Sequence, residues 1–323
     1  MKYRTLGRTG FKVSEVGFGA WGIGGGLWHG SEDAASMRAL EKAIDLGLTF
    51  IDTALAYNSG HSEQLISRAL HGRKERVVVA TKIPPKNGVW PAQPGTPIVE
   101  AFPAHYIREC TEKSLRNLDV DAIDLLQFHV WNDAWAHETE WQETVRTLKK
   151  EGYVCSWGIS INDHQPRNVL KTLDTGLIDT VQVIYNVFDQ SPEEELFPIC
   201  QEKRIGVIVR VPLDEGGLTG AITEGTVFSA SDFRARYFRG DRKQQVRERT
   251  ERLKKLLGLE AATLAELALR FCLSHPAVST VIPGMRTIVN VERNCAVSDG
   301  RALTPLMLSE LKKHRWERNF YGA

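Results

Sequence analysis

The sequence predicts an α/β protein, a (β/α)₈ TIM barrel with a short N-terminal hairpin and extra helices, organised as one domain over residues 1–323. Three observations carry that expectation. Eight short apolar runs recur along the chain, amphipathic stretches with helical spacing separate them, and a hairpin signal stands ahead of the first run. Strands that alternate with helices form a parallel sheet covered by those helices. Eight repeats favour closure into a barrel, where fewer strands with a reversal of order would make a doubly wound open sheet.

Taken in order, the hairpin occupies residues 3–6 and 12–16, with its turn at Arg8-Thr9-Gly10. The apolar runs are 16–19, 49–52, 77–81, 123–129, 155–160, 180–184, 206–210 and 278–282. Between them, residues 34–46, 61–70, 106–118 and 141–150 repeat apolar side chains at three- and four-residue spacing, as one face of a helix requires. Two connections break the rhythm: 84–103, rich in Pro and Gly, and 211–242, which carries Gly216-Gly217 and then a cluster of arginines. Long irregular connections in a compact domain are usually lids or binding loops. A last helix is expected over 305–318, outside the barrel, because Thr304 suits the cap and Pro305 the first helical position.

Composition narrows the class of function. With 42% hydrophobic and 25% charged residues the chain is ordinary globular protein, and a net charge of +1 provides no field for collecting nucleic acid or anionic membrane. A small molecule is therefore the expected partner. No run of about 18 apolar residues is present to span a bilayer, and Met1-Lys2-Tyr3-Arg4-Thr5 lacks the apolar core of a secretory signal, so a cytoplasmic location is expected. Five scattered cysteines without a C-x-x-C point to reduced, mostly buried thiols and no metal cluster.

In a barrel the active site lies at the C-terminal ends of the strands. Asp52 closes the second run, Tyr57 follows in its loop, Lys82 closes the third and His129 the fourth. Singly, each has an ordinary explanation as a cap, a rim aromatic, a solvated charge or a core histidine. Together at three successive strand ends they make a chemical set. A tyrosine is a poor acid near neutrality unless a cation stabilises its phenolate. Lys82 is that cation, Asp52 holds it in place, and His129 fixes a substrate carbonyl or relays a proton. A carbonyl receiving hydride develops negative charge on oxygen, which a donor aimed at that oxygen stabilises.

Asp52-Thr53-Ala54-x-x-Tyr57, Thr81-Lys82 and Gln127-Phe128-His129 resemble the Asp, Tyr, Lys and His signature of the aldo-keto reductase superfamily. The likeness runs through most of the chain. It implies a barrel that binds NADP(H) in extended form and passes hydride from nicotinamide C4 to an aldehyde or ketone, with Tyr57 donating the proton. By the same resemblance Gly19, Ala20 and Trp21 line the nicotinamide pocket, Ser160 and Gln182 hold the carboxamide, and Pro212, Leu213, Gly217 and Gly220 cover the pyrophosphate. Pro283, Gly284, Arg286, Asn290 and Asn294 stand where the adenosine-phosphate site is expected. Backbone N–H groups at a helix start and the Arg286 guanidinium suit a phosphate, which favours NADP over NAD.

The chain departs from the family pattern at three places. Ser160-Ile161-Asn162 replaces an adjacent Ser-Asn, so the amide partner is either Asn162 or absent; Arg210 stands where relatives place an aromatic against the nicotinamide, and its guanidinium plane offers a substitute stack; Asn290 and Arg293 replace the usual adenine-end residues. Trp21, Tyr57, Trp90, His129 and Trp131 are the expected substrate contacts, with Phe102, Trp135 and Tyr237 in loops nearby. Ser62 and Glu63 are expected to cap a helix.

Gly17-Phe18-Gly19-Ala20-Trp21-Gly22 spells G-x-G-x-x-G, so a Rossmann domain is the rival fold. That fingerprint requires a helix to open on its glycines, whereas Ile23-Gly24-Gly25-Gly26 follows here and the helical pattern starts near Ser31. Two functional rivals also stand: a cofactor-binding regulatory subunit of the potassium-channel β type, to which the resemblance extends, and a barrel lyase using Lys82 as a Schiff base.

Overall fold

The computed structural model describes residues 1–23, 25 and 32–322. Strands β1 (Tyr3–Thr5) and β2 (Lys12–Ser14) form the antiparallel hairpin. Eight parallel strands follow: β3 (Phe18–Gly19), β4 (Phe50–Asp52), β5 (Val78–Ile83), β6 (Ile123–Phe128), β7 (Val154–Ser160), β8 (Thr180–Ile184), β9 (Gly206–Arg210) and β10 (Val278–Val281). Each pairs with its neighbour in chain order, as successive right-handed βα units require.

The ends of the sheet meet. Val16 bridges Val281 and Gly19 bridges Gly284, with Gly17 N–H donating to Val281 O and Gly19 N–H to Pro283 O. This closure explains why position 19 is glycine: a Cβ there would lie 2.6 Å from the Ile282 carbonyl oxygen. The G-x-G-x-x-G string therefore serves strand-to-strand closure, and the Rossmann rival falls. The helix expected near Ser31, which lies outside the described residues, is present as α1 (Asp33–Asp45).

Alternation along the strands separates two cores. Phe50, Val78, Ala80, Leu125, Ile208 and Ile282 point inward, where Leu6 and Val13 of the hairpin pack with them at the bottom of the barrel. Ile51, Val79, Leu126, Phe128, Val181, Val207 and Val209 point outward and are buried beneath the helices. The period of two puts Asp52, Lys82 and Gln127 on the inward face, one layer above the apolar plug. Lys82 and Gln127 are register partners across β5 and β6.

Around the barrel lie α2 (His61–Leu70), α3 (Ile98–Ala101), α4 (Ala104–Leu118), α5 (Thr139–Lys150), α6 (Leu170–Leu173) and α7 (Leu196–Glu202). The second half adds α8 (Phe233–Tyr237), α9 (Arg242–Lys254), α10 (Leu264–Ser274), α11 (Ile288–Ala296) and α12 (Pro305–Lys312). Thr304 caps α12 through Met307 N–H as expected, but the helix stops six residues early. Residues 313–322 turn back toward the barrel mouth because Trp316 and Phe320 have apolar partners there and Arg318 meets the buried carboxylate of Asp214. Four cysteines are buried and Cys155 is exposed. Among the described residues no helix is long and apolar enough to cross a membrane, and no His, Cys, Asp or Glu group is arranged to hold a metal.

Candidate active site

Three strand ends and one loop bring the expected tetrad together. Lys82 Nζ donates to Asp52 Oδ1 at 2.5 Å, to the Thr53 carbonyl at 2.7 Å and to Tyr57 Oη at 3.3 Å. The lysine is fully buried, so each of those oxygens replaces a water molecule of hydration. The second oxygen of Asp52 accepts Gln182 Nε2 at 2.6 Å and Gln127 Nε2 at 3.2 Å. Asp52 is thus held by three strands.

Electrostatics set the protonation states. Burial works against the Lys82 ammonium, but Asp52 and Tyr57 outweigh it and its pKa is raised. Burial pushes the Tyr57 phenol up, and the opposing pull of Lys82 does not overcome it. The lysine therefore does not bring the phenol toward neutrality as expected; full desolvation is the stronger effect. His129 goes the other way, held well below its usual range by burial and then by the charges of Lys82 and Arg210. It is a neutral imidazole near pH 7, and its buried Nδ1 has no partner among the described residues. A lysine whose Nζ is held by three oxygens, one of them a buried carboxylate, is placed as an ammonium rather than as an amine nucleophile, which counts against the Schiff-base rival.

The walls are aromatic. Trp21 stacks on Tyr57 with ring centres 6.3 Å apart, and Phe233 of α8 lies on Trp21 at 5.1 Å. His129 meets Tyr57 edge-on at 5.7 Å and Trp90 at 4.5 Å. Trp90 is 47% exposed and lines a cavity of about 210 Å³ together with Asp163, Phe233, Arg236 and Tyr321.

Trp131 is placed elsewhere than expected, and three other expected residues are tied to neighbouring groups. Trp131 is fully buried, its indole N–H donating to Thr172 Oγ1, and it packs with Phe102, Phe128, Trp135 and Trp141 beneath the helices. It is core, because a large ring one turn beyond a strand end finds more apolar area outside the barrel than at its wet mouth. Tyr237 donates its hydroxyl to Asp214 and, though largely buried, lines the same cavity as Trp90. Asn162 spends its amide on loops, accepting Trp131 N–H and donating to Ala92 O and Gln165 Oε1. Arg210 donates to Ile161 O at 2.9 Å and Asp163 Oδ1 at 2.7 Å.

The remaining expected cofactor residues stand on strand ends, the connections that follow them and α11. Ser160 is buried in register with Gln182. Pro212, Leu213, Gly217 and Gly220 belong to the loop leaving β9, with Gly217 inside the 3₁₀ turn Asp214–Thr219 and Gly220 closing it at a φ of 74°. Pro283 and Gly284 follow β10, Arg286 is half-buried, Asn290 N–H is capped by Thr287 at the start of α11, and Asn294 is buried on that helix. Ala20 is buried beside Gly19.

Sequence reasoning missed the C-terminal tail. Tyr321 donates to Glu215 and Arg318 pairs with Asp214, tying residues 318–321 to the loop after β9. No periodic pattern marks these residues, and their partners are about a hundred positions away.

A family model described as the aldo/keto reductase family matches residues 15–315. The chain is 30% identical to an aldo-keto reductase of Bacillus subtilis (strain 168), over 88% of this chain and 85% of that one. It is also 30% identical to an NADH-specific methylglyoxal reductase of Escherichia coli (strain K12), over 92% and 93%, and to a probable voltage-gated potassium channel subunit beta of Arabidopsis thaliana, over 97% and 96%. Of solved structures, the holo form of aldo-keto reductase AKR11C1 from Bacillus halodurans superposes with a TM-score of 0.76 at 29% identity, over 98% and 96%. An aldo/keto reductase from Klebsiella pneumoniae in complex with NADP and acetate does so with a TM-score of 0.69 at 25% identity, over 98% of each chain. Likeness along nearly the whole sequence and a shared barrel make this chain a member of the aldo/keto reductase family.

Proposed function

We propose that the protein is an NADPH-dependent reductase of aldehydes or ketones in which Tyr57 is the general acid. The observation that carries this reading is the buried chain from Asp52 through Lys82 to Tyr57, with contacts of 2.5 and 3.3 Å at the mouth of a barrel. The residues present fit a nicotinamide dinucleotide. Trp21 and the Gly19–Ala20 backbone border the mouth at Tyr57, Ser160 and Gln182 form its floor, and the 211–220 loop with Arg286 supplies backbone groups and a cation for phosphates. Arg286 gathers charge with Arg234 beside Asp232, which suits a phosphate beyond the pyrophosphate and underlies the preference for NADPH.

When bound, the nicotinamide supplies a hydride from C4 to the substrate carbonyl carbon. Tyr57 donates its phenolic proton to the carbonyl oxygen as negative charge develops there. Its raised pKa keeps it in the acid form across physiological pH, and an alkoxide is basic enough to take the proton nonetheless. The phenolate left behind faces the Lys82 ammonium, and Asp52 keeps that ammonium charged and in place. The neutral His129 ring, within one ring contact of Tyr57, donates an N–H to the same oxygen and orients it. Trp21, Trp90 and His129 form the apolar surround that holds the substrate.

The test is NADPH consumption with a panel of aldehydes and ketones, for the wild type and for Tyr57→Phe. The variant is expected to bind NADPH with unchanged affinity and to lose on the order of 10²-fold or more in kcat. A phenylalanine variant that reduces a good aldehyde at the wild-type rate would exclude Tyr57 as the acid. No consumption with any carbonyl, alongside a stable protein partner, would support the channel-subunit reading.

A further inference from the structure

We propose that Glu63 is a positioning residue that sets the distance between Tyr57 and Lys82 without touching either; this rests on Tyr57 being the proton donor. Tyr57 opens a turn in which Asn58, Ser59 and Gly60 all take left-handed backbone, with φ of 49°, 56° and 97°. Two of the three are not glycine, so the turn does not hold this shape on local preference alone. Something must clamp its far end.

Glu63 occupies the first turn of α2, where a carboxylate is ordinarily a solvated helix-start residue. Here it caps nothing and is fully buried. One oxygen accepts Thr81 Oγ1 at 2.6 Å and the other accepts Asn117 Nδ2 at 2.7 Å. Thr81 immediately precedes Lys82 on β5. Asn117 on α4 lies under Gly60 so closely that a Cβ there would stand 2.3 Å from its Nδ2. One carboxylate therefore joins the strand that carries the lysine to the residue against which the tyrosine turn is seated.

The neighbouring Ser62 ties the same turn to the other strands. Its hydroxyl accepts Thr53 Oγ1 at 2.9 Å and donates to Ala20 O at 3.2 Å, while Thr53 O is itself a ligand of the Lys82 ammonium. The titratable groups facing the clamp are few. Cys110 on α4 is pushed up to about 11, first by burial and more weakly by carboxylates that include Glu63. Around the phenol itself stand Lys82, Asp52, Arg210 and the ring of His129.

The experiment compares Glu63→Ala, Glu63→Gln, Asn117→Ala and Tyr57→Phe in the full chain, reading circular dichroism, NADPH affinity, kcat and the pH profile of alcohol oxidation. Oxidation needs the phenolate, so its rate rises with pH through the Tyr57 pKa. Releasing the turn weakens the lysine's pull and moves that limb to higher pH by about one unit. Misplacement of the acid lowers kcat on the order of 10- to 100-fold, with NADPH affinity within about twofold of wild type. Glu63→Gln can keep both ties, its N–H donating to Thr81 and its oxygen accepting Asn117, and is expected to recover kcat to within about threefold. Folded Glu63→Ala and Asn117→Ala variants with wild-type kcat, or with a lowered kcat and an unmoved pH limb, overturn the proposal, as does a Gln variant as slow as Ala. If Glu63→Ala does not fold, Asn117→Ala at its half-buried position decides by the same two readouts. Tyr57→Phe at wild-type rate would instead remove the proton-donor reading on which the inference stands.

Discussion

Replacing Lys82 with methionine tests the electrostatic core of the site. The ammonium stands 3.3 Å from the Tyr57 oxygen, and at an effective dielectric of about 20 a unit charge at that separation stabilises the phenolate by about 5 kcal/mol. Converted at about 1.4 kcal/mol per tenfold, its loss slows proton transfer by about 10³- to 10⁴-fold. The same substitution strands Asp52, which keeps only the amide groups of Gln182 and Gln127 at 2.6 and 3.2 Å. Breaking a buried pair by removing one partner costs about 3–5 kcal/mol of stability, so Tm must fall as well. The two effects separate in a single-turnover assay well below Tm, with enzyme and NADPH preloaded, an aldehyde mixed in and NADPH fluorescence followed. A folded, NADPH-binding Lys82→Met variant whose chemical step stays within tenfold of wild type would refute the assignment of phenolate stabilisation to this lysine.

Three further outcomes follow from other parts of the molecule. Arg286→Met should raise KM for NADPH by about 10- to 100-fold, the worth of a charge-assisted hydrogen bond to phosphate, and leave KM for NADH nearly unchanged; equal effects on both would place Arg286 outside the phosphate site. Burial pushes the Glu215 carboxyl up from 4.5 to about 7, against the hydrogen bond from Tyr321. As pH rises through that window the unfolded chain ionises this group while the folded chain still holds its proton, so stability is lost on going up. Glu215→Gln should therefore gain about 2–3 kcal/mol relative to wild type at pH 8 and nothing at pH 4, read by denaturant melts. Phe50→Ala, which empties the centre of the barrel plug, should cost about 3–5 kcal/mol, and a loss under 1 kcal/mol would mean that the hairpin collapses into the space.

The strands were legible because their signal is local. A fully buried strand needs an unbroken apolar run, and a helix on its outside needs a period near 3.6, so short windows of sequence report both. The ends of the same apolar runs placed Asp52 and Lys82 at strand ends. Ser62 and Glu63 misled for the opposite reason: two residues that suit a helix start by composition are recruited by Thr53, Thr81 and Asn117, none of which is a neighbour in sequence. Trp131 was drawn away from the mouth in the same manner, by a cluster of buried rings, and Asn162 is tied to three loop groups that its own stretch of sequence does not announce.

By itself, then, the sequence determined the order of elements and the four polar residues that follow the strands, since each depends on a pattern a few residues long, and the count of eight repeats pointed to the barrel whose closure the contacts of Val16 and Gly19 with Val281 and Gly284 then showed. Only the tertiary structure decided that burial outweighs Lys82 at the phenol, that Arg210 is paired with Asp163, and that residues 318–321 return to the loop after β9. Those outcomes depend on desolvation and on distances between groups remote in the chain, quantities that no short stretch of sequence contains.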